Sequence, residues 1–536
     1  HFSEGHTMAS YLHPGVYIEE LPSGSRPIEG VGTSTACFIG YVTRGAVGEP
    51  TLISSFDDYQ RSFGGLREDT GSNRGDDMGH AVSAFFLNGG GKAYIVRAIA
   101  GGSATPSSGT VRDVADTADL LEIEAANPGA WANGLVVRFV PRTLGATTRF
   151  TVSVGTLDGS SFVAQESFSD LVPEPGAPTD MIAVVNASST LIRLTLPAGG
   201  AAALRNRLET PLPEASPPAS PPVPTPPLSV TLGSGSDGNR PLLADYQAIL
   251  TPLLKVRDIS IMLLPGIFWG TVANQAIINA TVAHCETIRN RMLLVDPEPG
   301  NELSNETEVN SLDLPTSTYA VTYYPWVRIA NPFYNPDANP AAARTLLASP
   351  AAMAAGLWAK TDGRRGVWKA PAGIEFPLLG AASLEFVVED PEQDFLNPAG
   401  VNAIRRLPGF GPVVWGTRTR STRANPEWRY VPVRRTAIFI EESIYNGIQW
   451  AVFEPNDHRL WASLRTNIES FMNGLFRVGA FQGEKSSDAY FVRCGLGQTM
   501  TQGDIDRGQV IVLVGFAPLK PAEFVIVRIQ QKVAQE

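Results

Sequence analysis

Short apolar runs of strand length, set between helices, narrow the fold of this chain more than any other feature. Residues 36–42 (ACFIGYV), 259–264 (ISIMLL) and 291–295 (RMLLV) show almost no alternation of polar and apolar positions. A strand buried on one face alternates. A run without alternation is buried on both faces, as in a parallel sheet covered by helices. Helical stretches separate these runs. Residues 57–63 and 79–87 precede a Gly-rich stop (Asn88-Gly89-Gly90-Gly91) and a strand at 93–99; residues 244–254 and 275–290 flank the strand at 259–264. Strand character resumes at 319–327, and a helix dense in Ala and Met follows at 349–362. The order strand–helix–turn–strand is that of an α/β layer, begun at 36–99 and resumed at 228–362.

What separates the two halves has another composition. Residues 101–200 are rich in Gly, Ser, Thr, Ala and Val, with alternating runs at 135–140 and 150–154. They read as a β-rich insertion. Residues 212–227 hold eight prolines in sixteen positions, which excludes a helix or an inner strand and leaves a semi-rigid linker or surface loop. The last third changes again. Residues 438–450 and 457–475 are helical, the second with Leu460, Leu464, Ile468, Phe471 and Leu475 at helical spacing. The runs 509–516 (QVIVLVGF) and 523–530 (EFVIVRIQ) read as strands of a long apolar hairpin, with Pro518 and Pro521 in the turn. Near the start, residues 13–20 (HPGVYIEE) form an extended arm between Pro14 and Pro22. Residues 1–7 (HFSEGHT), ahead of Met8, read as a vector remnant.

The fold class is therefore α/β (α+β, multi-domain). A discontinuous α/β core domain (31–100 and 228–375) carries a β-rich insertion (101–227). A C-terminal α+β domain (376–516) follows, with extended N- and C-terminal strand arms at 8–30 and 517–536.

Charge limits the partners. The chain of 536 residues has 42 Lys+Arg against 53 Asp+Glu, a net charge of -11, which argues against general nucleic-acid binding. No apolar run approaches the ~20 residues of a membrane span. Three distant cysteines (Cys37, Cys285, Cys494) do not form a disulfide framework and suit a reducing compartment. The N-terminal residues lack the apolar core of a secretory signal.

Catalytic patterns are weak. Gly233-Ser234-Gly235-Ser236-Asp237-Gly238 matches G-x-G-x-x-G after a strand, and Asp258 lies about twenty residues on. Asn239-Arg240-Pro241 delays the helix, however, and Asp258 precedes the next strand, so a Gly-Ser loop is the better reading. There is no P-loop, no G-x-S-x-G elbow and no H-E-x-x-H pair; the adjacent His284 and Cys285 point to different sides of a helix. No catalytic residue, cofactor or metal ligand is assigned.

The notable charge feature is basic. Eight arginines (Arg405, Arg406, Arg418, Arg420, Arg423, Arg429, Arg434, Arg435) fall between 405 and 435, with Glu427 the only acid. An ordinary solvated loop and a surface for an acidic protein partner are both open, with nucleic acid third. The chain ends offer unpaired strand edges, which natural proteins normally blunt. Either they pair within the molecule or they are donated to another chain.

Several segments resemble the contractile tail sheath proteins of phages and phage-like injection systems. These are residues 13–20; 85–90 with 93–97 (FFLNGG, AYIVR); 127–135 (NPGAWANGL); 236–238 (SDG); 362–373 (DGRRGVWKAPAG); and 397–405 with 414–419 (NPAGVNAIR, VWGTRT). The resemblance runs nearly the whole chain from Met8. The Pro-rich stretch 212–227 departs from it without touching a motif. It implies a non-enzymatic subunit that polymerises as stacked six-fold rings around an inner tube, then contracts and drives the tube through a target membrane. It implies inter-subunit strand exchange by Val16, Tyr17, Ile18 and Glu19 and by Phe524, Val525, Ile526, Val527 and Ile529. It also implies a tube-facing helix in the C-terminal domain, for which 457–475 with Arg459 and Arg465 is one candidate surface. Arg405, Arg406, Arg418 and Arg420 are the other. The implied partners are further copies of the chain, an inner tube protein, and baseplate and terminal cap proteins, with no direct nucleic-acid contact and no stable membrane insertion. The implied location is the bacterial cytoplasm during assembly, then a phage tail or extracellular phage-like particle. The competing readings are a non-contractile tube or capsid-like protein and a nucleotide-binding enzyme using Gly233 to Gly238.

Overall fold

The computed structural model describes residues 27–68, 74–144, 147–198, 200–210, 227–338, 340, 342–421 and 425–524. They form two compact units. The larger holds residues 30–442 and 518–524; the smaller holds 27–29 and 443–517.

The larger unit is built on an eight-stranded sheet. Its six central strands are parallel, in the spatial order Val401–Leu407, Ala320–Tyr324, Met292–Val295, Ile261–Leu263, Thr35–Gly40, Lys92–Arg97. Short antiparallel strands close both edges, Gly411–Val414 beside Val401–Leu407 and Thr51–Ile53 beside Lys92–Arg97. The unalternating runs occupy the middle: every residue of Thr35–Gly40, Met292–Val295 and Ala320–Tyr324 is buried. In register, Phe38 sits between Leu263 and Ile95. Helices supply the cover. Phe85, on Asp77–Leu87, meets Phe38 edge-on at 5.5 Å between ring centres. That helix packs closely on Pro350–Arg365, where a Cβ on Gly356 would lie 2.4 Å from the Phe85 carbonyl oxygen. Only a residue without a side chain allows that approach.

The sheet extends further along the chain than the sequence reading placed it. Residues 401–414, grouped there with the C-terminal domain, form two of its strands. Asn402 explains why a polar position is tolerated inside. Its buried side chain donates to the carbonyl oxygens of Thr322 (3.1 Å) and Arg418 (2.8 Å) and accepts from the Arg418 N–H at 2.6 Å, satisfying both ends of the amide.

The insertion has its own core. Four antiparallel strands, Leu228–Thr231, Val136–Leu144, Thr147–Asp158 and Ser161–Leu171, form one sheet, and Ser108–Arg112, Asp119–Ala125 and Ile192–Thr195 form another. Between them lie Leu121, Ile123, Val137, Phe139, Phe150, Val152, Ile192 and Leu204. Residues 101–210 also carry helices Met181–Ser188 and Ala201–Glu209.

The smaller unit is built around helix His458–Arg477. Asp457 caps it, its Oδ1 accepting from the N–H groups of Arg459 (2.9 Å) and Leu460 (3.0 Å). Leu460, Leu464, Ile468, Met472 and Leu475 are the buried face. Strand Tyr490–Arg493 packs on the helix and pairs antiparallel with Leu513–Phe516. Of the expected terminal hairpin, the first strand is shorter, and only the start of the second lies among the described residues. The strand at 513–516 pairs backwards to 490–493, while Glu523 and Phe524 belong to no strand. Residues 525–530 lie outside the described residues.

Candidate assembly surfaces

Arginine is costly to bury alone, so the run at 405–435 was expected on a surface. Most of it instead turns inward. Of Arg418 and Arg420, both proposed from the sequence as tube-facing, the first is buried and the second half-buried. Arg420 donates to the Ala399 carbonyl, and burial lowers its pKa to about 10. Arg434 stacks on Tyr319 at 3.9 Å and on Trp428 at 4.5 Å. Arg405 donates to Asp390 (2.8 Å) and Gln393 (2.9 Å). Arg406 is exposed. The sequence carries the density of arginines but not their direction, because their partners come from distant segments.

Two of these partners lie where the terminal segments join the larger unit. Arg418 grips Glu523 with two parallel bonds, Nε to Oε1 at 2.9 Å and Nη2 to Oε2 at 2.5 Å. Its Nη1 donates to the Asn397 carbonyl at 3.0 Å, and the Tyr430 hydroxyl donates to Glu523 Oε2 at 3.2 Å. Glu523 is followed by Phe524, which is 74% exposed. Of the proposed exchange residues, Phe524 alone lies among the described residues; Val16, Tyr17, Ile18, Glu19, Val525, Ile526, Val527 and Ile529 lie outside them.

At the other end, Arg435 grips Asp362 in the same way, Nη1 to Oδ1 at 2.8 Å and Nη2 to Oδ2 at 2.5 Å. Arg435 Nη2 also donates to the Thr33 carbonyl (2.9 Å), and the Thr33 hydroxyl donates to Asp362 Oδ2 (2.6 Å). The Arg435 guanidinium lies 4.4 Å from the Trp358 ring centre. Burial raises the Asp362 carboxyl above its ordinary range, and the ion pair with Arg435 opposes that rise. Asp362 opens the segment 362–373 that the sequence analysis singled out. Its pairing with Arg435 was not legible there.

The smaller unit carries exposed apolar positions on its sheet. In its two-stranded sheet Tyr490 faces Phe516 and Val492 faces Val514, and the Phe481 ring packs against Tyr490 (6.2 Å) and Phe516 (5.7 Å). The opposite face carries Phe491 and Leu513, 43% and 49% exposed. Phe491 lies over Gly515, where a Cβ would come within 2.3 Å of the ring. Among the described residues, each of the two strands has only the other as a strand partner. Of the helix arginines, Arg459 is exposed, whereas Arg465 is half-buried and donates to the Cys494 carbonyl.

The glycine loop is filled by the protein itself. A Cβ on Gly235 would lie 2.2 Å from Ser107 Oγ and 2.4 Å from the Gly129 carbonyl oxygen. Asp237 Oδ1 accepts from the Ala130 N–H at 2.7 Å, and Ser236 and Thr105 exchange backbone bonds. The loop joins two segments of the insertion where a phosphate would have to enter. The start of the following helix is likewise occupied: Asp245 accepts from the Leu242 N–H (2.8 Å) and the Gly101 N–H (3.0 Å). His284 sits beside the buried Arg291 (3.3 Å), and burial and that charge lower its pKa to about 4. Among the described residues, no group of His, Cys, Asp and Glu could hold a metal ion, and no helix is long and apolar enough to cross a membrane.

Two family models match, the phage tail sheath protein central domain over residues 244–420 and the phage tail sheath C-terminal domain over residues 423–532, together more than half of the chain. A prophage major tail sheath protein of Pseudomonas aeruginosa (strain UCBPP-PA14) is 32% identical over 148 residues, 27% of this chain and 37% of that protein. The tail sheath protein of Enterobacteria phage T4 is 25% identical over 176 residues, 33% of this chain and 26% of its own length. The matched stretches thus span well under two thirds of these relatives. Among solved structures, the contracted helical sheath of the anti-feeding prophage has the same fold, with a TM-score of 0.58 and 24% identity over 98% of this chain and 100% of that one. A chain of the anti-feeding prophage baseplate structure matches with a TM-score of 0.54 and 24% identity over 98% and 100%.

Proposed function

We propose that this chain, which belongs to the phage tail sheath family, is the structural subunit of a contractile sheath, polymerising as stacked six-fold rings around an inner tube and contracting to drive that tube through a target membrane. The observation that carries the reading is the sheet of the smaller unit, which has two strands among the described residues. Its two strands of four residues pack one face on a helix and leave Phe491 and Leu513 exposed on the other. They suit strands added from another copy. The donors are the terminal arms, Val16 to Glu19 and Phe524 to Ile529, whose alternating Val and Ile positions fit one buried face.

Contraction draws its energy from subunit–subunit burial gained in the contracted lattice, and the strand tethers survive the rotation of subunits. The chain has no catalytic role. Its partners are further copies of itself, a baseplate, an inner tube and a terminal cap. Arg459 and Arg406 are the exposed cations left to meet tube carboxylates. The sheath is assembled in the bacterial cytoplasm and becomes part of a phage tail or extracellular phage-like particle.

Negative-stain microscopy of the purified chain tests this reading. The full chain forms hollow, ridged cylinders of uniform width, and deletion of residues 8–20 leaves a folded but dispersed protein. Cylinders that persist after the deletion would rule out strand donation by the N-terminal arm.

A further inference from the structure

The chain passes between its two units three times, at 29–30, 442–443 and 517–518. On the larger unit, each passage lies within a few residues of a two-pronged arginine–carboxylate pair. After the first comes Thr33, held by Arg435 and Asp362. At the second, Glu442 itself is gripped by Arg257, Nε to Oε1 at 2.7 Å and Nη2 to Oε2 at 2.6 Å. After the third comes Glu523, gripped by Arg418. The side chains of Arg435 and Asp362 are 4% and 6% exposed, those of Arg418 and Glu523 9% and 11%, and those of Arg257 and Glu442 38% and 9%.

We infer that these three pairs are clamps that fix, on the larger unit, the points from which the smaller unit and the terminal strands depart, so that a donated strand enters its acceptor in one register. The inference rests on the strand-donation reading above and names the residues that position the donor.

The physical case turns on what a buried ion pair does well. Its Coulombic gain is largely offset by desolvation, so it adds little net stability compared with apolar residues of the same size. What it adds is direction. Two parallel N–H···O bonds hold a carboxylate in one orientation, whereas apolar contact is non-directional and tolerates sliding. Direction matters at the root of a donated strand. A slip of one residue turns Val525, Val527 and Ile529 to the opposite face and presents Phe524, Ile526 and Arg528 in their place. The Arg418–Glu523 clamp is also braced from behind: Asn402 holds the Arg418 backbone on both sides, and Tyr430 and the Asn397 carbonyl complete the polar contacts. These are positioning residues.

The test is made in the full chain with the double variant Arg418→Met/Glu523→Leu, which replaces the pair with apolar groups of similar size. Thermal unfolding stays at the wild-type midpoint. Hydrogen exchange of the Arg418, Thr419 and Val431 amides, bonded to Asn402 Oδ1 and the Arg429 and Thr417 carbonyls, rises by about tenfold or more as the root opens locally. Cylinder yield falls by about tenfold, and those that form are irregular. Arg418→Lys is the second variant. It keeps both charges and removes only the fork, so the fold is retained, and its exchange rates lie between wild type and the double variant. Wild-type exchange at these amides in both variants would overturn the clamp. So would faster exchange with cylinders of wild-type yield and width. Deletion of 524–536 separates the two ideas. If that deletion abolishes cylinders while the double variant assembles normally, the clamp fails and strand donation stands. If the deletion itself assembles normally, donation by this arm fails and the clamp loses its role with it.

Discussion

The sheet of the larger unit and the sheet of the smaller one solve the same problem in opposite ways. The first has eight strands, six of them parallel and central, with short antiparallel strands closing both edges. Helices cover it, so its inner strands are buried on both faces. The second has two strands of four residues, one face on helix His458–Arg477 and Phe491 and Leu513 left exposed on the other. Among the described residues, one sheet has its edges closed and the other does not. A protein that only had to fold would gain by covering both. The exposed apolar positions make sense where a neighbour supplies the missing strands.

The sharpest way to break this comparison is to remove one large aromatic that packs on the larger sheet, from helix Pro350–Arg365, and one that stands in the smaller sheet. Trp358 is fully buried, donates to the Tyr323 hydroxyl at 2.8 Å and lies under the Arg435 guanidinium. Trp358→Ala costs about 3–5 kcal/mol in the unfolding of the larger unit, through lost burial and the cavity left behind. Phe491→Ala, at a half-exposed site, costs about 0.5 kcal/mol or less in the isolated chain. On the proposed strand donation, which covers its ring, it nevertheless lowers cylinder yield. Urea unfolding followed by tryptophan fluorescence and far-UV circular dichroism, with microscopy of the same samples, checks both. A Phe491→Ala cost of several kcal/mol in the dispersed chain would show that the small sheet is already complete.

The same contrast explains what could be read from the sequence. Residues 36–42, 259–264 and 291–295 announced a doubly covered sheet because burial on both faces leaves no room for polar alternation. The strand Val401–Leu407 carries Asn402, Arg405 and Arg406, which break the apolar pattern of a buried strand, and what makes Asn402 acceptable inside is a set of bonds to Thr322 and Arg418. Helix Met181–Ser188 passed for part of a β-rich block through its Val and Ile content. Its start was marked by Asp180, which accepts from the Ile182 N–H at 2.9 Å, a cap that could have been noticed. The arginine run was visible as charge, but Arg418 with Glu523 and Arg435 with Asp362 are pairs across 105 and 73 residues. Spacing along the chain says nothing about such pairs.

A smaller effect separates the units by pH. Asp296, beside the start of helix Pro350–Arg365, accepts from the Ser349 hydroxyl (2.5 Å) and the Ala351 N–H (2.9 Å). Burial pushes its carboxyl up to about 6, against the relief those bonds give. Between about pH 4 and 6 the folded state keeps a proton that the unfolded chain has lost. Stability of the larger unit therefore falls as pH rises through that window, by an amount on the order of 2 kcal/mol. Asp296→Asn flattens the profile. Urea midpoints at pH 4, 5 and 6 for both proteins decide the matter, and identical slopes would remove Asp296 as the cause.

The smallest effect has the opposite sign and lies in the smaller unit. The Asp457 carboxylate is held below its ordinary pKa chiefly by the Leu460 N–H, and also by the Arg459 N–H at the start of helix His458–Arg477. Its stabilisation is present above the unfolded value near 4 and is lost as pH falls through the lower folded value. The group is solvent-exposed, so the effect is screened by salt. Asp457→Asn keeps an acceptor for the cap and has no charge to lose, so its helix responds less to acid. Amide exchange of residues 459–461, followed from pH 5 down to pH 2 in low and high salt, measures the difference. Acid should thus tighten the larger unit from pH 6 to 4 and then loosen the first turn of this helix below 4. If the helix start opens already between pH 6 and 4, and equally in Asp457→Asn, then an uncapped sheet edge governs the smaller unit and the cap does not.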